Sequence, residues 1–435
     1  MSWVLFLSLS VGLLLVLLFI GLPIFVGFLI LNVTGLLFLI GPRGIGLFTN
    51  SLYETATSSS LVTVILFILM GEVLFRSGAV GVLFDGVDSL IGRLRGRLYV
   101  VTMALSTMFG ALCGSAVAVA SMLGRSVLPQ MEERGYDKKL AAGTILAGAS
   151  LAPIIPPSVF AIIIGTQADV SIAGLLIGGI LPGLLFAALT LGYVMIRMGR
   201  GVEAGTPQPL PAAAAPRSKP AALASMLPFL LLIGAVTGFI VAGIATPTES
   251  AAVGVVGSVV VAMLYGRLSF SMLREAVGAA VTTGVVNLII ICAAKLFSQL
   301  LSLSGVTAGM VGLINDLSFG PDLTFLILML IPLVLCMFID EVSFMLIAIP
   351  IYQPIVNAMG YEPVWFWMIF LINLTVGSIT PPLGYTLFAL RRVSDRLSTT
   401  EIFAAAWPVC GIFIVGMIVL WAFPAIVTFL PARLQ

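Results

Sequence analysis

The chain has 435 residues, of which 60% are hydrophobic and 9% charged, with a formal net charge of +2 and a mean hydropathy of +1.22. Soluble domains carry about 25% charged residues, so these figures exclude a soluble protein and describe a polytopic membrane protein. With no histidine and four cysteines (Cys113, Cys292, Cys336, Cys410) scattered through apolar segments, a histidine relay, a histidine metal site and a disulfide framework are excluded too.

Lipid demands that a spanning segment satisfy its own backbone, which leaves helices or closed barrels. Apolar runs of about 20 residues fit helices, not the ~10-residue alternating strands of a barrel. In chain order, spans are predicted near 3–20, 22–40, 57–77, 138–165, 172–197, 223–245, 248–266, 278–303, 364–390 and 404–430. Two further apolar stretches lie at 98–131 and 322–358. The first 20 residues resemble a signal-peptide core, but no Lys or Arg precedes them and the pattern continues to Ile40, so a retained span is expected. GPRGIG near Gly41 reads as a turn in a short loop, not a phosphate cradle, and no Walker sequence for ATP occurs. GVEAGTPQPLPAAAAPRSKP at 201–220 is a Pro/Ala-rich linker.

Lys and Arg set the orientation. They gather at 76, 93–97, 134–139, 197–219, 267–274 and 391–396, which are therefore assigned to the cytoplasm. Arg97 and Arg134 flank 98–131 on one side, so that stretch is read as a re-entrant hairpin with its tip at Gly114-Ser115; two full spans are the alternative. Arg43 and Arg433 then face outward, Arg125 and Lys295 lie within the membrane, and both termini are periplasmic. The run Arg93–Arg97 reads as an interfacial helix on anionic headgroups, not a nucleic-acid patch. Trp365, Trp367, Trp407 and Trp421 read as interface anchors.

The two halves match at a constant offset of 225: Pro129 with Pro354, Gly135 with Gly360, Tyr136 with Tyr361, Pro156 with Pro381 and Pro157 with Pro382, together with Val117/Val342, Leu146/Leu371 and Ile154/Ile379. Proline and glycine carry backbone geometry, so their coincidence is structural. The fold class is therefore all-α, an inverted repeat of five spans plus one hairpin each. The first repeat is 1–200, the linker 201–222 and the second repeat 223–435, with hairpins 98–131 and 322–358 and broken helices 138–165 and 364–390. RGYDKK is basic and its counterpart MGYEPV carries no cation, as opposite orientation requires.

A helix interior rejects even one proline, at roughly 3 kcal/mol. Yet GASLAPIIPPSVF (Gly148 to Phe160) and NLTVGSITPPLGY (Asn373 to Tyr385) both place Pro-Pro inside apolar segments. Helices broken at membrane depth mark secondary transporters: carbonyls freed at one half-helix end suit a small hard cation, and amides at the other favour an anion. Two cation sites are predicted. The first joins Gly114 and Ser115 to Ala152, Ile155, Pro156 and Pro157; the second joins Cys336 and Asp340 to Gly377, Thr380 and Leu383. An anionic substrate would sit between the tips. The alternative is that Pro-Pro merely kinks the helices for packing.

FGALCGSAVAVASMLGRSVLPQMEERGYDKKLAAGTILAGASLAPIIPPSVF, followed by SIAGLLIGGILPGLL, resembles the large membrane subunit of TRAP (tripartite ATP-independent periplasmic) transporters. So do TPTESAAVG at Thr246–Gly254, MFID at Met337–Asp340 and GSITPPLG at Gly377–Gly384. The resemblance implies an elevator-type carrier of the bacterial inner membrane that uses two or more sodium ions to import an organic acid. It also implies a small four-span membrane partner and a periplasmic substrate-binding protein, and no organic cofactor. Three departures stand out: Ala116 follows Gly114-Ser115 where a second serine is frequent, Cys336 replaces glycine before the Met-x-x-Asp tip, and Ala152-Pro153 replaces glycine before Ile-Pro-Pro-Ser.

Charges at membrane depth cost at least about 2.5 kcal/mol, so each needs a reason. Asp340 is the leading candidate to sense the cation, with a helix N-cap as the plainer role; Glu341 beside it is read as facing water. Arg125 has three readings: a substrate-carboxylate ligand, a snorkelling side chain, or a partner of Glu72. Lys295 is a weaker substrate candidate, Asn373 would orient the second break or the substrate, and Glu249 in TPTE is read as structural. Competing functions are a stand-alone sodium-coupled dicarboxylate carrier and a membrane enzyme with Ser115 as nucleophile, which would need Lys295 within reach. An open channel is disfavoured by two closed hairpins.

Overall fold

The computed structural model describes residues 2–91, 96–201, 219–317, 319–394 and 397–433, and these are helical throughout apart from turns and breaks. Seven helices are long and apolar enough to cross a membrane: Ile24–Ala56, Ile172–Gly199, Lys219–Val241, Pro247–Leu264, Phe270–Leu303, Glu341–Met359 and Thr399–Ala422. Ten spans were expected from hydropathy. The count differs because 138–165 and 364–390 are each divided into two short helices, Trp3–Phe19 has only 17 residues, and the span expected at 57–77 belongs to a pair, Val62–Arg76 with Gly81–Ile91, bent by 75°. Glu341–Met359, assigned by sequence to a hairpin, is by itself 19 residues long. GPRGIG is no loop: Gly41–Arg43 forms one 3₁₀ turn that runs into Gly44–Ala56. Most of the linker, at 202–218, lies outside the described residues, and a helix begins at Lys219.

The helices fall into two packed groups. In one, Ser59–Arg76 lies against Pro247–Leu264 and Phe270–Leu303, and the latter also meets Ile24–Ile40. Lipid tails are as apolar as leucine, so such contacts rely on small residues and polar ties. A Cβ at Gly254 would stand 2.6 Å from Met70 Sδ, and one at Gly284 2.5 Å from Ile65 Cγ1. Thr63 and Thr248 share a hydroxyl hydrogen bond of 2.5 Å, and Asn32 Nδ2 donates to Ala293 O at 2.7 Å. Thr246 and Glu249 close a capping box at the start of Pro247–Leu264, which gives TPTE its structural part.

Three sequence readings change. Arg97 does not reach for headgroups: its guanidinium pairs with Asp88 at 2.5 Å, and Asp88 is 2% exposed. Arg93 and Arg95 lie outside the described residues. Glu72 pairs with Arg76 at 2.9 Å, and Arg76 also holds Glu275 at 2.8 Å, so Glu72 is not the partner of Arg125. Trp365 and Trp367 are buried in the core, Trp365 Nε1 donating to Leu420 O at 2.9 Å, while Trp407 and Trp421 are exposed. Removing one partner of a buried pair strands the other charge at about 3–5 kcal/mol. Arg97→Met should therefore lower the melting temperature of the detergent-solubilised protein far more than Arg76→Met, and Asp88→Asn added to it should recover part of the loss.

Candidate functional site

The second group carries the site. Arg97–Cys113 and Ala116–Ser126 form a first helical pair joined at Gly114 and Ser115. Gly114 has φ +59°, a left-handed turn that glycine adopts without steric cost. Ser115 caps the second helix by accepting from Ala118 N at 3.4 Å. The second pair, Pro321–Leu335 and Glu341–Met359, is joined by residues 336–340. There Asp340 is the cap, accepting from Ser343 N at 2.9 Å. Cap and donor both recur 225 residues on. So do Asp137, which accepts from Leu140 N at 2.7 Å, and Glu362, which accepts from Trp365 N. Tyr136 Oη accepts from Leu98 N at 3.3 Å and Tyr361 Oη donates to Pro321 O, each tying the start of a pair to the start of the interrupted helix that follows it.

The first interrupted helix is Lys138–Leu151 followed by Val159–Gln167. Across the break, Leu151 O accepts from Ile154 N and Ile155 N at 3.0 and 2.9 Å, and the Ser158 hydroxyl donates to Pro153 O. The Pro156–Pro157 peptide is cis, as is Pro381–Pro382. Gly114 lies against this break, where a Cβ would stand 3.4 Å from Val159 N and 3.7 Å from Pro157 O. Ala152, Pro156 and Pro157 are buried and Ile155 is half-buried. Gly110 makes the crossing possible, because a Cβ there would be 2.7 Å from Ala152 Cα.

The second interrupted helix is Pro363–Ile379 followed by Tyr385–Val393. Its break turns two carbonyls onto one glycine: a Cβ at Gly384 would stand 2.7 Å from Ser378 O and 2.9 Å from Thr380 O. The Thr380 hydroxyl donates to Val376 O at 2.6 Å and touches Cys410 Sγ at 3.4 Å. The crossing with the second pair is made by Gly377, where a Cβ would lie 2.3 Å from Cys336 Cβ. The small residue has changed elements between the two crossings, from the pair (Gly110) to the interrupted helix (Gly377). That exchange accounts for alanine at 152 and cysteine at 336. Unlike the first break, the second is open: Pro382 and Asp340 are exposed, and Leu383 is 52% exposed.

Each pair also touches the other interrupted helix. Ala116–Ser126 packs on Tyr385–Val393, Glu341–Met359 packs on Val159–Gln167, and the two first halves, Lys138–Leu151 and Pro363–Ile379, meet. Four helix N-termini (at Ala116, Val159, Glu341 and Tyr385) and four C-termini therefore end at the tips and breaks. The former present amides to an anion and the latter carbonyls to a cation. The oxygen donors of the breaks, carbonyls and hydroxyls, suit a hard cation. Among the described residues no group of three or more His, Cys, Asp or Glu is arranged to hold a metal.

Other candidates lie apart. Arg125 is exposed near the end of its helix, and ten residues at about 1.5 Å rise carry it about 15 Å from Ser115. Lys295 pairs with Glu54 at 2.9 Å. Asn373 is buried, and its Nδ2 donates to Met329 O, tying the second interrupted helix to the second pair beside an apolar cleft of about 510 Å³. Glu341 overturns its reading: it is 6% exposed rather than facing water, its carboxylate lies beside the Ser378 hydroxyl, and its Oε2 has no hydrogen-bond partner among the described residues. Its only sequence signal was its place one residue past the cap.

Residues 11–426 match the family model described as "Tripartite ATP-independent periplasmic transporter, DctM component". The chain belongs to the DctM family. It is 31% identical over 341 residues to the ectoine/5-hydroxyectoine TRAP transporter large permease protein UehC of Ruegeria pomeroyi, covering 78% of each chain. Against the 2,3-diketo-L-gulonate TRAP transporter large permease protein YiaN of Escherichia coli it is 30% identical, covering 86% of this chain and 87% of the other. The sialic acid TRAP transporter large permease protein SiaM of Vibrio cholerae is 29% identical, over 87% and 88%. Among solved structures the fold matches that of the Alcanivorax borkumensis YdaH transporter, with a TM-score of 0.64 at 14% identity over 90% of this chain and 91% of that one. This DctM-family chain is thus the large permease component of a tripartite transporter, and its relatives are transport proteins rather than enzymes.

Proposed function

We propose that this chain is the conducting subunit of a sodium-coupled importer of an organic acid in the bacterial inner membrane, acting with a small membrane partner and a periplasmic binding protein that delivers the substrate. The observation that carries the reading is the pair of breaks, each facing the tip of a helical pair and each presenting freed carbonyls and helix ends. Sodium would lie among these carbonyls, the first site between Gly114-Ser115 and the Pro157 break, the second around Gly377, Thr380 and Gly384. The substrate carboxylate would lie between the tips, near Ser115 and Asp340, where helix N-termini favour negative charge. Recurrence of caps, tyrosine ties and prolines 225 residues apart supports an inverted repeat. The buried first break and open second break are what a carrier resting at one end of an elevator stroke presents. The names of the relatives, which include ectoine, 2,3-diketo-L-gulonate and sialic acid, support a small carboxylate as cargo.

The test is organic-acid uptake into proteoliposomes holding the chain and its small partner, across an imposed sodium gradient, with and without the binding protein. Uptake that needs both supports the reading. Uptake without the binding protein makes the chain a stand-alone carrier, and uptake indifferent to sodium ends the coupling proposal. Within this assay Asp340→Asn separates charge from capping, since asparagine caps a helix as well as aspartate. Losing one charge-assisted contact, at about 1.5–3 kcal/mol, should cut uptake at limiting sodium roughly ten-fold or more, with assembly intact. Uptake by the variant unchanged from wild type at both limiting and saturating sodium would return Asp340 to capping alone.

A further inference from the structure

We infer that Glu341 supplies a negative ligand to the cation at the second break, so that the two breaks bind sodium unequally. The inference deepens the sodium reading above and rests on it. Glu341 opens the second helix of its pair, directly after the Asp340 cap, and is 6% exposed. A buried carboxylate is costly unless something positive or a set of donors meets it. Here the protein offers little. None of the ion pairs among the described residues includes Glu341, and its charged and titratable neighbours are Asp340 and the buried Cys336 thiol. The Ser378 hydroxyl is the donor beside it, and its single proton is shared with Thr375 O at 2.9 Å, with Thr386 Oγ1 a further neighbour at 3.3 Å. Oε2 is left with no partner among the described residues.

Ser378 links this carboxylate to the carbonyls of the break, of which that of Thr380 also accepts from Gly384 N at 3.2 Å. Its side chain lies beside Glu341, while its carbonyl, with that of Thr380, is turned onto Gly384. A cation in that cradle would meet carbonyl oxygens and one full negative charge together. The first break has no such charge, because the position 225 residues before Glu341 is Ala116, fully buried and apolar. Ligand charge count tunes the affinity of oxygen sites for hard cations. The second break is therefore the tight site and the first the weak one.

The experiment is sodium chloride titration of the purified membrane complex by calorimetry, with choline chloride holding ionic strength, alongside sodium-dependent uptake. Wild type should bind sodium in two unequal classes. Glu341→Gln should weaken the tight class by at least about ten-fold and leave the weak class in place, while Glu341→Asp, which keeps the charge on a shorter arm, should fall between. Unchanged binding by Glu341→Gln with uptake still sodium-dependent overturns this inference alone. No sodium binding by wild type overturns both it and the sodium reading. A single class of equivalent sites in wild type overturns it even if Glu341→Gln cannot be purified.

Discussion

Gly377→Ala should abolish sodium-driven uptake, and adding Cys336→Gly should restore most of it. The new Cβ would stand 2.3 Å from Cys336 Cβ and 3.2 Å from Cys336 Cα, so two helices must move apart. Overpacking a close crossing costs about 1–3 kcal/mol or more, and here the displacement falls on the break that turns Ser378 O and Thr380 O inward. Removing the cysteine side chain relieves the clash by returning the small residue to the helical pair, the arrangement Gly110 and Ala152 already use at the first crossing. Uptake and thermal melts of the single and double variants are the measurements. A double variant as inactive as Gly377→Ala would mean that the glycine is required for its backbone and not for its lack of a side chain. Control substitutions at Gly192 or Gly411, where a Cβ meets nothing within 4 Å, should leave uptake near wild type.

The second large effect is expected from Pro156→Ala combined with Pro157→Ala. Each proline withholds an amide and bars its segment from the helical ladder, at roughly 3 kcal/mol. With both replaced, Pro153 still bends the segment, but the residues after it can wind onto Val159–Gln167, and the Pro157 carbonyl facing Gly114 would be consumed by an i→i+4 bond. Half-saturating sodium for uptake should then rise at least about ten-fold, the effect of losing 1.4 kcal/mol of binding, while the protein still inserts and keeps its melting temperature or gains on it. Sodium activation unaltered in the double variant would return the prolines to a packing role. The matching pair, Pro381→Ala with Pro382→Ala, should act at least as strongly, since the second break also carries Glu341 and the carbonyls of Ser378 and Thr380.

Sequence by itself determined the helical membrane class and the places where helices are interrupted. Both are local properties: an apolar run must satisfy its own backbone in lipid, and Pro156, Pro157, Pro381, Pro382 and Gly114 act on the backbone at their own positions. The cap at Asp340 was legible for the same reason, whereas its counterpart at Ser115 emerged with the structure. What a side chain faces was not legible. In a chain this apolar, lipid and protein interior look alike, so hydropathy does not separate a residue that meets lipid from one that meets another helix. Only the tertiary structure buries Trp365 and Trp367, turns Arg97 onto Asp88, occupies Lys295 with Glu54, sets Cys336 against Gly377 and encloses Glu341 beside Ser378. Each of these joins segments distant in sequence or on different helices, and the packing of those helices is what decides them.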